Sequence, residues 1–243
     1  MKRFAPACLG ALVAVSVSGS LRLAAEDRGE LIFADDFDRS ESQELRDEPG
    51  KGWGTNSRSR AKGNKQVDLR DGAMHIFIHA EADHAVSVTQ PTAFTDGSVR
   101  LRFKLEDAKD QLGLNFADLD FKGVHAGHLF AVRIETTRIV CQDLKTGNMR
   151  IDIRKARQAK KALTDEQATA LVGKEKSFPL ATATGEWHEV VVSVKEDELT
   201  VTINGGVVGR FVSRGIAHAT KRLLRLSVPR NAIVDDVQIR RVK

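Results

Sequence analysis

Two stretches of the chain gather titratable groups at spacings that suit proton transfer. The first holds Asp118-Leu119-Asp120, His125 and His128. Alternating aspartates on extended backbone share a face, and two nearby histidines could complete a metal site or an acid/base pair. His125-x-x-His128 is not a zinc motif by itself, so no metal is assigned to it. The second stretch, 215–221, places His218 and Lys221 behind the glycine hinge Gly215. There His218 could act as a base or donate to a sugar hydroxyl, with Lys221 or Arg230 holding an oxygen. These readings make His128, His218, Asp118 and Asp120 the candidate catalytic groups. Each has a plain structural alternative: His128 as a strand-edge cap, and His218 as a loop residue bonding backbone.

Glu81-Ala82-Asp83-His84 is a third candidate. On a strand, Glu81 and Asp83 would point to one face about 7 Å apart, and paired carboxylates flanking a sugar are what glycoside hydrolysis requires. Surface loop charge is the alternative. His84 and His125 are candidate substrate contacts, with Lys221 and Arg230. Aromatic residues make up only 5% of the chain and there is no tyrosine, so sugar stacking falls to few side chains. With Trp187 expected in the core, Trp53 becomes the stacking candidate, carried by a long polar loop over 39–64. Asp35-Asp36 and Asp235-Asp236 could hold a structural calcium, which wants several oxygen ligands, or simply end their strands. No other cofactor is expected.

The elements that must position these groups are strands. Residues 185–212 read as a meander: an alternating strand 187–195, an acidic turn at 196–198, a strand 199–204, and a Gly205-Gly206 turn into 207–212. Asp71-Gly72 suits a type I′ hairpin turn between 67–69 and 74–78. Further strands are expected at 31–33, 85–89, 97–105, 112–116, 129–134, 137–142, 149–153, 223–228 and 232–240. Residues 154–176 break the series, because alanines and leucines there are interleaved with good helix formers. Thr164 and Gln167 fit a capping box, so a helical insertion is expected, with Arg150, Arg154, Lys155, Arg157, Lys160 and Lys161 as a solvated face or a protein-partner patch. Together these elements give an all-β antiparallel sandwich of one domain, 26–243, with a helical insert at 154–176.

A basic start, a short apolar run at 11–15 and small residues behind it describe a signal peptide over 1–25, cut after Ser20 or Ala25. The run is too short to span a bilayer, so a secreted or periplasmic protein is expected. Cleavage would remove Lys2, Arg3 and Arg22 and lower the formal charge from +5 to +2. That residual argues against nucleic acid as a partner. It would also leave Cys141 as the sole cysteine, inside an apolar strand, where a buried small hydrophobe is the simpler reading.

The Gly185-Glu186-Trp187-His188 strand and the Val201-Thr202-Ile203-Asn204-Gly205 hairpin resemble the concanavalin A-like lectin/glucanase superfamily. The span from Leu31-Ile32-Phe33 through Trp187-His188 to Val234-Asp235-Asp236-Val237 resembles exported domains of the 3-keto-disaccharide hydrolase type. That resemblance implies a jelly-roll sandwich directed at carbohydrate. Many members of that type carry a Gln and a His before the last strand, where Ser227-Val228-Pro229 stands here. A more distant similarity to family 16 glycoside hydrolases implies a Glu-x-Asp-x-x-Glu strand, yet Ala85 and Val86 stand where the third carboxylate would fall. Three classes of function follow: hydrolysis of a modified sugar, glycan binding without turnover, and a cell-surface interaction domain using 154–176.

Overall fold

The computed structural model describes residues 29–242; the expected signal peptide lies outside them. The described residues form fifteen strands: β1 (Glu30–Asp35), β2 (Gly54–Thr55), β3 (Val67–Arg70), β4 (Ala73–Phe77), β5 (Val86–Phe94), β6 (Asp96–Lys104), β7 (Gln111–Ala117), β8 (His128–Glu135), β9 (Arg138–Asp143), β10 (Glu175–Pro179), β11 (His188–Lys195), β12 (Glu198–Ile203), β13 (Gly206–Val212), β14 (Lys221–Val228) and β15 (Asn231–Val242). Three short helices interrupt them, α1 (Ser57–Arg60), α2 (Ile151–Gln158) and α3 (Asp165–Ala170). One sheet runs β13-β12-β11-β6-β15-β4-β3 with β1 also on β15, and the other runs β10-β9-β8-β7-β14-β5-β2. The pairings are antiparallel, and the two sheets form a sandwich.

Period-two alternation makes the sandwich. On β6, Val99, Leu101 and Phe103 are buried between half-buried Arg100, Arg102 and Lys104. On β7, Leu112, Leu114 and Phe116 point inward in the same way. Phe116 stacks on Phe130 at 4.6 Å and meets Phe94 edge-on at 6.1 Å. Each such side chain contributes about 1.5–3 kcal/mol when fully buried. Both expected hairpin turns form with two positive φ values. Asp71 and Gly72 have φ of 54° and 68°, while the second turn falls one residue early, on Asn204 and Gly205 at 48° and 77°.

Three expectations are corrected. The strand expected at 149–153 is instead the start of α2, whose one buried residue is Ile153. The edge strand β10, absent from the expected series, carries almost no apolar signal in Glu-Lys-Ser-Phe-Pro; it pairs with β9 through backbone, a Gln142–Glu175 side-chain bond at 2.6 Å, and Phe178 packed on the core. The two tryptophans exchange roles. Trp53 is only 7% exposed, packs between Phe33 and Phe37, and donates Nε1–H to Asp35 Oδ2 at 2.8 Å. Trp187 is 36% exposed beneath Arg102 and Lys104. The reason is register: His188 is the inward residue of that pair, packed on Phe103 and bonded to Asn204.

The capping box forms, with Thr164 Oγ1 accepting from Gln167 N at 3.2 Å and Gln167 Oε1 accepting from Thr164 N at 3.1 Å. Cys141 is fully buried and burial pushes its thiol up to about 12, which keeps it protonated and inert. Asp143, at the end of β9, ties the loop after β13 to the sheet. Its carboxylate accepts from Ser213 Oγ at 2.5 Å, Thr146 N at 2.9 Å and Gly215 N at 3.1 Å, with Lys174 Nζ at 3.3 Å. Asp143→Ala leaves these donors unanswered and should cost about 3 kcal/mol, read as a lowered urea midpoint. A loss under about 0.5 kcal/mol would show the tie to be incidental.

Candidate functional site

Register decides which side chains share the outer face of the seven-stranded sheet. One row crosses it as Thr89, Arg225, Asn115, Ala131 and Gln142, each opposite the next. A second row crosses as Ser87, Ser227, Gly113, Arg133 and Val140. Gly113 and Ala131 lie at the middle of the rows, so the face is hollow there. A trough of about 290 Å³ results, lined by Gln111, Asn115, Arg133, Gln142 and Ser227, with Leu144, Met149 and Pro229 as its apolar side. The amides and hydroxyls offer donors and acceptors together. A Cβ on Gly113 would approach Ser227 Cβ to 3.3 Å, so the hollow depends on that residue staying small.

His128 borders this face at the start of β8. Its Nδ1 lies 3.0 Å from Asn115 Oδ1, and Arg225 Nη1 lies 3.3 Å from the same oxygen and 3.1 and 3.4 Å from the two ring nitrogens. Burial and the positive fields of Arg225, His125, Arg154 and His84 lower the His128 pKa to about 3. The imidazole is therefore neutral at ordinary pH. Donation of Nδ1–H to Asn115 leaves Nε2 with its lone pair.

The other expected residues divide into separate places. His84 and His125 are exposed; His84 Nδ1 bonds Ala85 O, and the His125 ring lies 6.4 Å from that of His128. His218 and Asp118 form a buried pair, Nε2 to Oδ2 at 2.9 Å, joining the loop after β7 to the segment before β14. Arg222 Nε bridges Asp118 and Asp120 at 3.3 Å each. Burial opposes the Asp118 charge, but the His218 bond holds its pKa below the usual range. Lys221 points into the protein, fully buried, donating to the carbonyls of Thr95 and His218. Burial brings its pKa down to about 8. Arg230 pairs with buried Asp110 at 3.5 Å, beyond the opposite end of β14. Trp53, Lys221 and Arg230 are thus corrected from ligand contacts to packing and turn residues: a core ring, an inward ammonium, and an ion pair at a turn.

Carboxylates are missing from the middle of the face. Glu81 and Asp83 lie in a loop, paired with Lys62 and Arg60, and not on a strand. Glu135 closes β8, where Arg138 and Arg133 hold its pKa down at 2.7 and 2.9 Å. The two facing carboxylates of a double-displacement glycosidase are not formed on this face by the described residues. Glu41, Glu44 and Asp68 do converge, but Lys65 Nζ stands among them at 2.8, 2.9 and 2.6 Å and fills the place of a cation. At the β1–β15 edge, Asp35, Asp36 and Asp236 line one cleft with Lys51. Asp35 already accepts from Arg39, Phe37 N and Trp53, with Lys51 Nζ at 3.2 Å. Its oxygens are answered by those donors, so the set does not fit a calcium ion, which needs free oxygen ligands.

Of the polar residues on this face, sequence reading singles out His128 and passes over Asn115, Arg133, Gln142, Arg225 and Ser227. The signal was available in alternation: each is the polar partner of buried strand residues, as Arg225 is between Leu224 and Leu226.

No protein-family model matches the chain, and no curated protein resembles it in sequence. Solved structures do resemble it. Carbohydrate binding module CBM66 of Bacillus subtilis superposes with a TM-score of 0.51 at 8% identity, over 78% of this chain and 95% of that one. A GlcNAcα1-4Gal releasing endo-β-galactosidase of Clostridium perfringens gives 0.59 at 9%, over 91% and 64%. The family GH16 non-specific endo-β-1,3(4)-glucanase SCLam gives 0.56 at 14%, over 86% and 90%. The likeness shows a concanavalin A-like fold, shared by glycan-cleaving and glycan-binding proteins.

His128 gives a pH test. Unfolded, it takes up a proton near pH 6.5; folded, it resists until about 3. The unfolded state binds more protons between these values, so stability rises with pH across the window and is lost as pH falls. Wild type should lose on the order of 2 kcal/mol relative to His128→Gln between pH 6.5 and 4, after allowance for partial exposure. Parallel pH curves for the two proteins would contradict this placement.

Proposed function

We propose that this chain is a carbohydrate-directed domain that holds a glycan in the trough on the seven-stranded sheet. The observation that carries the reading is the pair of polar rows meeting at Gly113 and Ala131. Side-chain amides, a serine and Arg133 can hydrogen-bond sugar hydroxyls, while Leu144, Met149 and Pro229 offer the apolar side that a pyranose face needs. Structural neighbours that bind or cleave glycans support the same class of ligand. Titration calorimetry against oligosaccharides tests it. Ala131→Trp fills the trough and should weaken binding at least about ten-fold, whereas Trp187→Ala on the other sheet should leave it within about two-fold. The opposite pattern would move the site to Trp187.

A second reading is hydrolysis of a modified sugar, of the 3-keto-disaccharide type, and His128 favours it. A neutral imidazole whose Nε2 meets only Arg225 Nη1, at 3.4 Å, can take a proton made acidic by a neighbouring ketone once the sugar displaces that long contact. The glycosidic C–O bond then breaks by elimination, the leaving oxygen takes a proton, and water adds to the resulting double bond. This route needs no carboxylate pair. His128→Gln should then abolish release of keto-sugar while changing affinity less than about three-fold; unchanged turnover would remove the role. In both readings His218 and Asp118 position the 118–127 loop.

Export to the periplasm or beyond rests on the leader pattern of residues 1–25. An intact mass beginning at Leu21 or Glu26 in protein recovered outside the cytoplasm is the expected result, and retention of Met1 would contradict it. Among the described residues no helix is long and apolar enough to cross a membrane.

A further inference from the structure

Most half-buried arginines here meet acids: Arg39 meets Asp35 at 2.7 Å, Arg100 meets Glu189 at 2.5 Å and Arg102 meets Asp235 at 3.2 Å. Arg225 does not. Its contacts are Asn115 Oδ1 and the ring of His128, all neutral groups. A guanidinium cannot shed its proton to relieve burial, and an unpaired buried charge costs several kcal/mol. Arg154 adds to the imbalance. It reaches in from α2, and its Nε is buried with no hydrogen-bond partner. Its field converges with those of Arg225, His125 and His84 on one imidazole. The nearby Arg133 is answered by Glu135, and Glu175 bonds Gln142 at the other end of the row, so the excess of positive charge beside His128 belongs to Arg225 and Arg154.

An excess of fixed positive charge beside a hydroxyl-binding trough is a receptor for a negatively charged sugar. We propose that the glycan held in the trough carries an anionic group, a carboxylate or a sulfate ester, received by Arg225 and Arg154 beside His128. The inference rests on the trough being the glycan site and names the class of sugar that fits it. Both anions present oxygen pairs that a guanidinium can meet with two parallel N–H bonds. Because the site is partly buried, the contribution should exceed that of a solvent-exposed ion pair. The insertion also gains a role: α2 carries Arg154, half-buried with an unpartnered Nε and acting on His128, so its basic side chains are not uniformly a solvated face.

Calorimetry with four probes tests this: an oligogalacturonide, a sulfated galacto-oligosaccharide, a neutral galacto-oligosaccharide of equal length, and sodium sulfate alone. At least one charged sugar should bind about ten-fold or more tightly than the neutral one, and which one does separates carboxylate from sulfate. Arg154→Gln should erase most of that preference while neutral affinity moves less than about two-fold, and Arg225→Gln, which also disturbs Asn115 in the trough, should erase the preference with a loss of neutral affinity as well. Arg154→Gln lies on a peripheral helix and keeps the test open if Arg225→Gln does not fold. Equal affinity for neutral and charged sugars, or a preference that survives Arg154→Gln, overturns the inference and leaves the glycan reading standing. Sulfate binding as tightly as the sulfated sugar also overturns it. Binding of none of the sugars removes both.

Discussion

Strict alternation along β7, β8 and β14 is the constraint from which the proposed site follows. Leu112, Leu114 and Phe116 fill the space between the sheets, and this forces Gln111, Gly113 and Asn115 outward. The same rule turns Phe130, Val132 and Ile134 inward on β8 and sets Ala131 and Arg133 against them. A one-residue slip would exchange the two sets, putting phenylalanines in water and an arginine in the core. The core therefore fixes the polar face as firmly as it fixes the sandwich. The trough exists because two of the outward positions carry almost no side chain.

Electrostatics sets the character of the proposed site. Its buried acids are engaged by side-chain and backbone donors: Asp35 by Arg39, Asp118 by His218 and Asp143 by Lys174. The tight acidic cluster Glu41, Glu44 and Asp68 holds a lysine at its centre. What remains unanswered beside His128 is positive, and that field adds to burial in keeping the imidazole neutral. Recognition of sugar and chemistry by a neutral base are both compatible with such a face. The same sandwich supports cleavage in one neighbour and binding alone in another, so the fold leaves that choice to the side chains on the sheet.

Much of the sandwich was legible beforehand because its signals are local. Asp71-Gly72 announced a hairpin, Trp187-His188 opened the meander, and Thr164 with Gln167 marked a helix start. The pairing of β1 with β15, which sets Asp35 opposite Val237, has no such local mark. The site was less legible, because it is assembled across register. Asn115, Arg225 and Gln142 lie far apart in the chain and look like ordinary solvent-side positions until five strands are laid side by side. The tryptophans illustrate the same limit. Nothing local says whether Trp187 or His188 faces inward, and Trp53 looked like an open platform only because its partner Asp35 is 18 residues away. Residues 175–179 join a sheet mainly by backbone pairing, which leaves little mark on composition.

The central claim is that ligand contact runs along the outer rows of the seven-stranded sheet. Backbone amide shifts recorded while an oligosaccharide is titrated into labelled protein test it most directly. The account predicts that the largest perturbations fall on Gly113, Asn115, Ala131, Arg133 and Gln142, with Arg102, Trp187 and Glu189 unmoved. Perturbations confined to Trp187 and the eight-stranded sheet would contradict it.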